Sequence, residues 1–457
     1  MRDWLHLENV IQSDDLFETL VSIEIPVRMD FDEPPICPEC NKPMTRDGSK
    51  ELRVQDAPMW EKPVTLVARR QKYRCRKHAL TVLAASPSII FGRESRTKRL
   101  VRAIENRGVS HPATETAKHV GISPDAVRSV LHHLDKRIKA APPHWRSPSL
   151  LAIDNIHCGR QPHQHNYQVL FDQGSGYAIG FVESETVDAV LKEIQRLKID
   201  AAGVRVFSSD LSETNLALAK VFKSAVHVAD KFHVFQHCNL GIKAVINSVA
   251  RSLSEKGNPQ AAERLRSVRR QAIGMRMPVV GPQGEFQFEP LPVELSQYEP
   301  VAIAYQAREH LWRMYGEADR AAGKAHLEAF YAECEKDPVS ANMKGVLRYV
   351  RDHEKQVLAW FDALDLVDME NWSPTTNSLE RRNADIQKIW KSGRGYGRDF
   401  TLFRLRVLYH RFRFGVHIIE CERCGRFEGP LPADQVLARS QAPVGPEICS
   451  TCQPEHS

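Results

Sequence analysis

The chain has no apolar run approaching the ~18 residues that a membrane-spanning helix needs. Its start is acidic (Asp3, Glu8, Asp14, Asp15, Glu18) and lacks the basic-then-apolar layout of a secretory leader. Net charge is also small, 63 Lys and Arg against 57 Asp and Glu. These absences exclude a membrane partner and predict a soluble, cytoplasmic protein. With 42% hydrophobic residues in 457, the chain is not disordered and is long enough for two to four domains with full cores.

A disulfide scaffold is excluded as well, although there are ten cysteines. Seven of them stand in C-x-x-C or C-x-x-H pairs, which in a reducing compartment point to zinc. Cys37 and Cys40 form one close pair, and Cys75 with His78 forms a second after 34 intervening residues. Four soft or borderline ligands in two such pairs suit a closed tetrahedral Zn²⁺ whose binding folds the module around it. A second set, Cys421 and Cys424 with Cys449 and Cys452, is separated by 24 residues and gives a four-cysteine zinc pattern.

The segment from Arg93 to Arg107 is basic with helical periodicity. Beyond it, Ala117, Val120, Val127 and Val130 or Leu131 are spaced to pack inward, Gly121 makes a turn, and Ser123 caps a second helix that has Pro124 at its first position. This is the layout of a helix-turn-helix, with Arg128 and His132 offered outward to DNA beside Ser123. Residues 140 to 148 are a proline-rich linker.

After the linker come the acids. Leu150 to Asp154 and Val204 to Asp210 each read as a short β-rich strand ending in a carboxylate. Glu380 opens a helical pattern with Ile386, Ile389 and Trp390 on one face, and Glu380, Asn383 and Gln387 recur at i, i+3 and i+7. Two strand-end aspartates and a helix glutamate suit two Mg²⁺ or Mn²⁺ ions, because hard cations take oxygen ligands. Asp172 precedes Gly174 and Gly176 and reads as a turn former. Asp230 ends another strand, three residues before His233. Residues 381 to 415 hold ten Lys or Arg against two acids, among them Arg381, Arg382, Lys388, Lys391 and Arg394; Arg69 and Arg70 lie in the zinc module. Such clustering is an electrostatic footprint for phosphates.

In these blocks, and in Asn377 to Asn383, Gly395 to Gly397 and Phe403 to Arg406, the chain resembles the DDE transposases of bacterial insertion sequences, most closely the ISL-three family. The resemblance covers nearly the whole length. It implies an α/β multidomain protein with a ribonuclease-H-like catalytic core and a helical insertion, and an N-terminal zinc ribbon plus helix-turn-helix; the four C-terminal cysteines add a C-terminal zinc ribbon that is less usual in the family. The expected boundaries are 1–90 for the N-terminal segment and ribbon, 91–140 for the helix-turn-helix, 141–233 and 371–415 for the two parts of the core, 234–370 for the helical insertion, and 416–457 for the second ribbon.

The resemblance further implies that Asp154, Asp210 and Glu380 are the catalytic, magnesium-binding acids, with Asp230, His233 and Asn383 auxiliary. It departs from the family at His78, where cysteine is usual. The implied activity is cleavage and strand transfer at terminal inverted repeats, with double-stranded element and target DNA as partners, a homodimer on paired ends, and a nucleoid-associated location when DNA is bound. The alternatives are a DNA-binding regulator or domesticated inactive relative, and a nuclease of the same fold that cannot join strands.

Overall fold

The computed structural model describes residues 7, 9–13, 15–92, 95–140, 147–159, 164–273, 279–280, 286–287, 291–366, 377–392, 399–409, 419–420 and 427–428. The chain divides into two units, Met1–Trp145 with Lys388–Ser457, and Arg146–Gln387.

The first unit is built on a sheet of β1 (Val10–Gln12), β2 (Phe17–Glu18), β3 (Ile23–Met29), β4 (Thr45–Met59), β5 (Lys62–Arg74), β6 (Thr81–Leu83), β7 (Ile89–Ile90) and β8 (Ser95–Thr97). The strand order is β1-β3-β5-β4-β8-β7, with β2 added to β3 and β6 to β5. Ile23, Ile25, Val27 and Met29 alternate along β3 with more exposed residues, and this period of two sends them into one core with Val54, Val64, Leu66 and Ala68. The segment before the first cysteine pair is therefore an interior strand of the module.

Helices α1 (Lys98–Gly108), α2 (Ala113–Val120) and α3 (Pro124–Ala140) follow. The basic stretch expected to be helical from Arg93 onward becomes helix only at Lys98. Ser95 and Arg96 are taken up in strand pairing, and the Thr97 hydroxyl accepts from Leu100 N at 3.2 Å to cap α1. Gly121 turns the chain between α2 and α3 at φ 73°, and a Cβ there would lie 2.2 Å from Pro63 Cβ, so the turn needs glycine twice over. Ala117, Val120, Val127, Val130 and Leu131 are all buried. The Ser123 hydroxyl accepts from Ala126 N at 3.1 Å.

The second unit contains β9 (Leu150–Cys158), β10 (His165–Asp172), β11 (Tyr177–Val182), α4 (Val187–Arg196), β12 (Val206–Ser209), α5 (Glu213–Ala219) and β13 (Val226–Ala229). The sheet order is β11-β10-β9-β12-β13, with β9, β10 and β11 antiparallel and β12 and β13 parallel to β9. β9 does not end at Asp154 as the sequence suggested. Asn155 to Cys158 keep pairing with His165 to Gln168, so Asp154 lies mid-strand, at the level where β12 and β13 stop. Asp172 is a turn residue, accepting from Gly174 N at 3.0 Å and Ser175 Oγ at 2.7 Å.

Helices α6 (Lys231–Glu255) and α7 (Pro259–Ile273), a small pair β14 (Val279–Val280) and β15 (Phe286–Gln287), then α8 (Val293–Ser296), α9 (Glu299–Met314), α10 (Arg320–Glu335), α11 (Ser340–Asp352) and α12 (Glu354–Leu364) follow as a largely helical segment. Its core is continuous with that of the sheet: Val206, Val228 and Ala229 share one cluster with Ile242, Leu311, Phe330 and Trp360. α13 (Asn377–Ser392) contains the division between the units, and α14 (Phe400–Tyr409) belongs to the first. Within that unit α14 docks on α3. Arg404 makes a buried ion pair with Asp135, His132 Nε2 lies 3.1 Å from Asp399 Oδ2, and Arg406 donates to the Ser110 carbonyl at 3.0 Å. A last pair, β16 (Ile419–Glu420) and β17 (Phe427–Glu428), closes the described residues.

Candidate functional site

Register alone aligns the acids. Ile153 of β9 is paired with Ser209 of β12, and Ser209 with Ala229 of β13, so the next residue on each of three adjacent parallel strands is an aspartate: Asp154, Asp210 and Asp230. The Asp230 amide donates to the Ser209 carbonyl at 2.8 Å and continues the ladder by one step.

Each carboxylate is held differently. Asp154, 4% exposed, accepts from Asn155 N at 2.8 Å and from the Asn383 side-chain amide of α13. Asp210 accepts from Asn215 Nδ2 at 2.7 Å, Ser212 N at 3.0 Å and Asn155 Nδ2 at 3.3 Å. Asn215 is itself oriented by Gln168 Nε2, at 3.3 Å. Asp230 caps α6 by accepting from Phe232 N at 2.8 Å, and its other oxygen accepts from His233 Nδ1 at 3.1 Å. The far nitrogen of His233 stands 4.0 Å from Asp154.

Leu211, directly after Asp210, sits at φ 63°. A left-handed conformation costs a branched residue about 1–2 kcal/mol and persists only where the surroundings enforce it. The Tyr349 hydroxyl of α11 donates to the Asp210 carbonyl at 3.2 Å, on the peptide that leads into this residue.

The electrostatics are those of crowded acids. Burial pushes the Asp154 carboxyl up to about 6; His233 and Asn383 pull it down, while Asp230 and Asp210 add to the rise. Burial disfavours the charged imidazole of His233, but the hydrogen bond and charge of Asp230, with Asp154 and Asp210 behind, outweigh it and push His233 up to about 9. Lys231 is drawn down to about 8 by burial, its ammonium 4.5 Å from the Trp312 ring, 4.9 Å from Tyr315 and 5.6 Å from Trp360. Among the described residues no Lys or Arg forms an ion pair with the three aspartates.

Two buried amide oxygens, Asn155 Oδ1 and Asn383 Oδ1, have no hydrogen-bond donor among the described residues. Carboxylates without a Lys or Arg partner among the described residues, beside orphaned amide oxygens, are a donor set suited to a hard divalent cation. Glu380 lies on the first turn of α13, one turn before Asn383, and its side chain falls outside the described residues, as do those of Arg381, Arg382 and Arg394.

The zinc ligands come together in the first unit. Cys37, Cys40, Cys75 and His78 offer ligand atoms all within 4.8 Å of one another. The separations of 3.6 Å from Cys37 Sγ to His78 Nδ1, 3.8 Å between Cys40 and Cys75, and 3.7 Å from Cys75 to His78 match the edges of a tetrahedron with Zn–S bonds of about 2.3 Å. The two knuckles repeat one backbone design: the residue after each second ligand, Asn41 or Ala79, has φ near 55° (53° and 55°), and the first cysteine's amide donates to the carbonyl five residues on. Cys421, Cys424, Cys449 and Cys452 lie outside the described residues.

The DNA-binding candidates are dispersed. Arg69 is exposed on β5, whereas Arg70 donates to the Ala84 carbonyl at 2.8 Å and lies over the Phe91 ring at 4.3 Å. Arg128 is exposed and paired with Asp125 at 2.5 Å, and Lys388 and Lys391 are exposed on α13. Sequence reasoning missed Asn155, Asn215, Lys231 and Tyr349. Only Asn155, adjacent to Asp154, carried a local signal.

The ISL3 transposase family model matches residues 151–407, which contain all of these acids. The model described as the zinc-finger of transposase IS204/IS1001/IS1096/IS1165 matches residues 33–78, the two knuckles and the strands between them. No curated protein matches the chain. The first match spans more than half of the 457 residues, and the chain belongs to the ISL3 family of transposases.

Proposed function

We propose that the protein is a DNA transposase that binds the terminal inverted repeats of its element and carries out cleavage and strand transfer with Asp154, Asp210 and Glu380. The observation that carries this reading is the alignment of Asp154, Asp210 and Asp230 on three parallel strands, with Asn383 of α13 bonded to Asp154. Helical spacing puts position 380 on the same face as Asn383. The strand order of the sheet supports a ribonuclease-H-like core.

Asp154, Asp210 and Glu380 would hold Mg²⁺ or Mn²⁺, which when bound neutralises charge on the attacking and leaving oxygens. The remaining work belongs to the chain: Asn155, Ser212 and Asn215 orient Asp210, Asn383 orients Asp154, and the pair Asp230–His233 presents a cationic imidazolium beside the acids. Water adds to phosphorus as the P–O3′ bond breaks, leaving a 3′-hydroxyl and a 5′-phosphate. In strand transfer that hydroxyl replaces water and displaces a 3′-oxygen of target DNA. Positioning supplies most of the acceleration, and no covalent enzyme intermediate forms.

The Cys₃His module and helix-turn-helix read the repeats, α3 entering the major groove with Arg128 foremost, and basic residues of α13 contribute salt-dependent affinity. Pairing two ends calls for a homodimer on DNA. The C-terminal cysteines hold a second zinc. The test is cleavage of a linear duplex bearing the repeat that flanks the coding region, in Mg²⁺. Asp154→Ala is expected to bind this DNA as the wild type does and leave it uncut; normal cutting by the variant overturns the proposal.

A further inference from the structure

The helical insertion reaches the acidic pocket at two points, one at the end of the edge strand β13 and one at the end of the neighbouring β12. Next to Asp230, the Lys231 ammonium sits among Trp312, Tyr315 and Trp360 of α9 and α12 and the residue that follows α9. Next to Asp210, Tyr349 of α11 donates its hydroxyl to the Asp210 carbonyl at 3.2 Å, across 139 residues of sequence.

We infer that Tyr349 is a positioning residue for Asp210, so that the insertion is a working part of the active centre. The inference rests on the reading of Asp210 as a metal ligand. Its basis is where the hydrogen bond falls. The Asp210 carbonyl belongs to the peptide joining Asp210 to Leu211, and Leu211 is held at φ 63°. The ladder on β12 ends with the bond from the Asp230 amide to the Ser209 carbonyl, so among the described residues no ladder bond holds the Asp210–Leu211 peptide, and a shift of that peptide would carry Asp210 with it. Asn215, Ser212 and Asn155 fix the carboxylate, and Tyr349 fixes the backbone from which it hangs.

Tyr349 is braced for this task. Its ring stacks on His237 of α6 with centroids 3.8 Å apart and planes at 20°, and lies 5.0 Å from the His353 ring. His353 Nδ1 donates to the Tyr349 carbonyl at 2.8 Å, closing α11 onto the start of α12. The hydroxyl is thus aimed by a clamped ring.

Tyr349→Phe keeps the ring, its stacking and its volume, and removes only the hydroxyl. The expected result is cleavage of repeat-bearing duplex slowed about tenfold or more, since small displacements of reacting groups carry such penalties. The Mg²⁺ concentration for half-maximal rate rises severalfold, while DNA retardation and the thermal midpoint stay at wild-type values. Wild-type rate and Mg²⁺ dependence in Tyr349→Phe overturn the inference. So does a rate loss with unchanged Mg²⁺ dependence, or one matched by weakened DNA binding or a lowered midpoint, because those mark a merely structural bond. Asp154→Ala in the same assay separates the two levels: if it cuts normally the metal-pocket reading fails, and if it is inert while Tyr349→Phe is normal, only the role of Tyr349 fails.

Discussion

Asn383 and Asp154 are 229 residues apart in sequence, and the side-chain amide of the first donates to a carboxylate oxygen of the second. That bond favours the ionised form of Asp154, which burial and two neighbouring acids oppose. Asn383→Ala should therefore raise the Asp154 pKa further. At subsaturating Mg²⁺, where proton and cation compete for the carboxylate, the acid limb of the pH–rate profile for DNA cleavage should move to higher pH and the rate at pH 7 should fall about tenfold. An unmoved limb would remove Asn383 from the site.

Stability should report the same crowding with the opposite sign from an ordinary carboxylate. Asp154 titrates at about 6 in the folded chain against 3.8 as its ordinary value, so the native state binds the proton more tightly. Its stabilising protonation is lost as pH rises through 6. Asp154→Asn, neutral throughout, should make the metal-free protein more stable than wild type at pH 8, by about 3 kcal/mol. The difference should shrink below pH 6. Urea unfolding in chelator at the two pH values measures it.

Zinc removal should unfold the knuckles, because Cys37, Cys40, Cys75 and His78 sit at tetrahedral separations and Cys37 and Cys75 are buried with Met44 and Tyr73 around the cluster. Cys75→Ala should lower the zinc content by one ion per chain and weaken binding to repeat DNA. His78→Cys supplies a sulfur where the imidazole stood and should retain the ion. Elemental analysis of the purified variants decides, and full zinc content in Cys75→Ala would count against the site.

Arg404 and Asp135 form a buried ion pair, with Lys139 Nζ also 2.7 Å from the carboxylate. Removing Arg404 leaves the buried carboxylate with Lys139 alone, and removing Asp135 leaves a buried guanidinium uncompensated; breaking a buried pair typically costs about 3 kcal/mol or more. Arg404→Leu should lower the thermal midpoint and weaken DNA binding through α3. The double variant Asp135→Leu with Arg404→Leu should recover most of the loss. A single variant as stable as wild type would show that α14 does not brace α3.

Much of the candidate site was legible because it is local. Asp154, Asp210 and Asp230 each follow a short apolar, β-rich run, and C-x-x-C and C-x-x-H state their own purpose. The extension of β9 past Asp154 was not legible, since Asn155 and His157 break the apolar run and only pairing with β10 keeps them in a strand. Nor was the docking of α14. Leu402, Phe403, Leu405, Val407 and Leu408 are buried almost all round, which announces a covered helix but not what covers it. Tyr349 and Lys231 carry no sequence signal, because a hydroxyl on a helix and a lysine after an aspartate gain meaning only from partners fixed by tertiary packing.

The central claim is that Asp154, Asp210 and the α13 helix bearing Glu380 surround one cation site. Loading the DNA-bound protein with Fe²⁺ in place of Mg²⁺ and adding ascorbate and peroxide breaks the polypeptide next to the bound ion. The account predicts chain breaks clustered near residues 154, 210 and 380, suppressed by excess Mg²⁺ and absent in Asp154→Asn. Breaks confined to other regions, or none near 380, would contradict it.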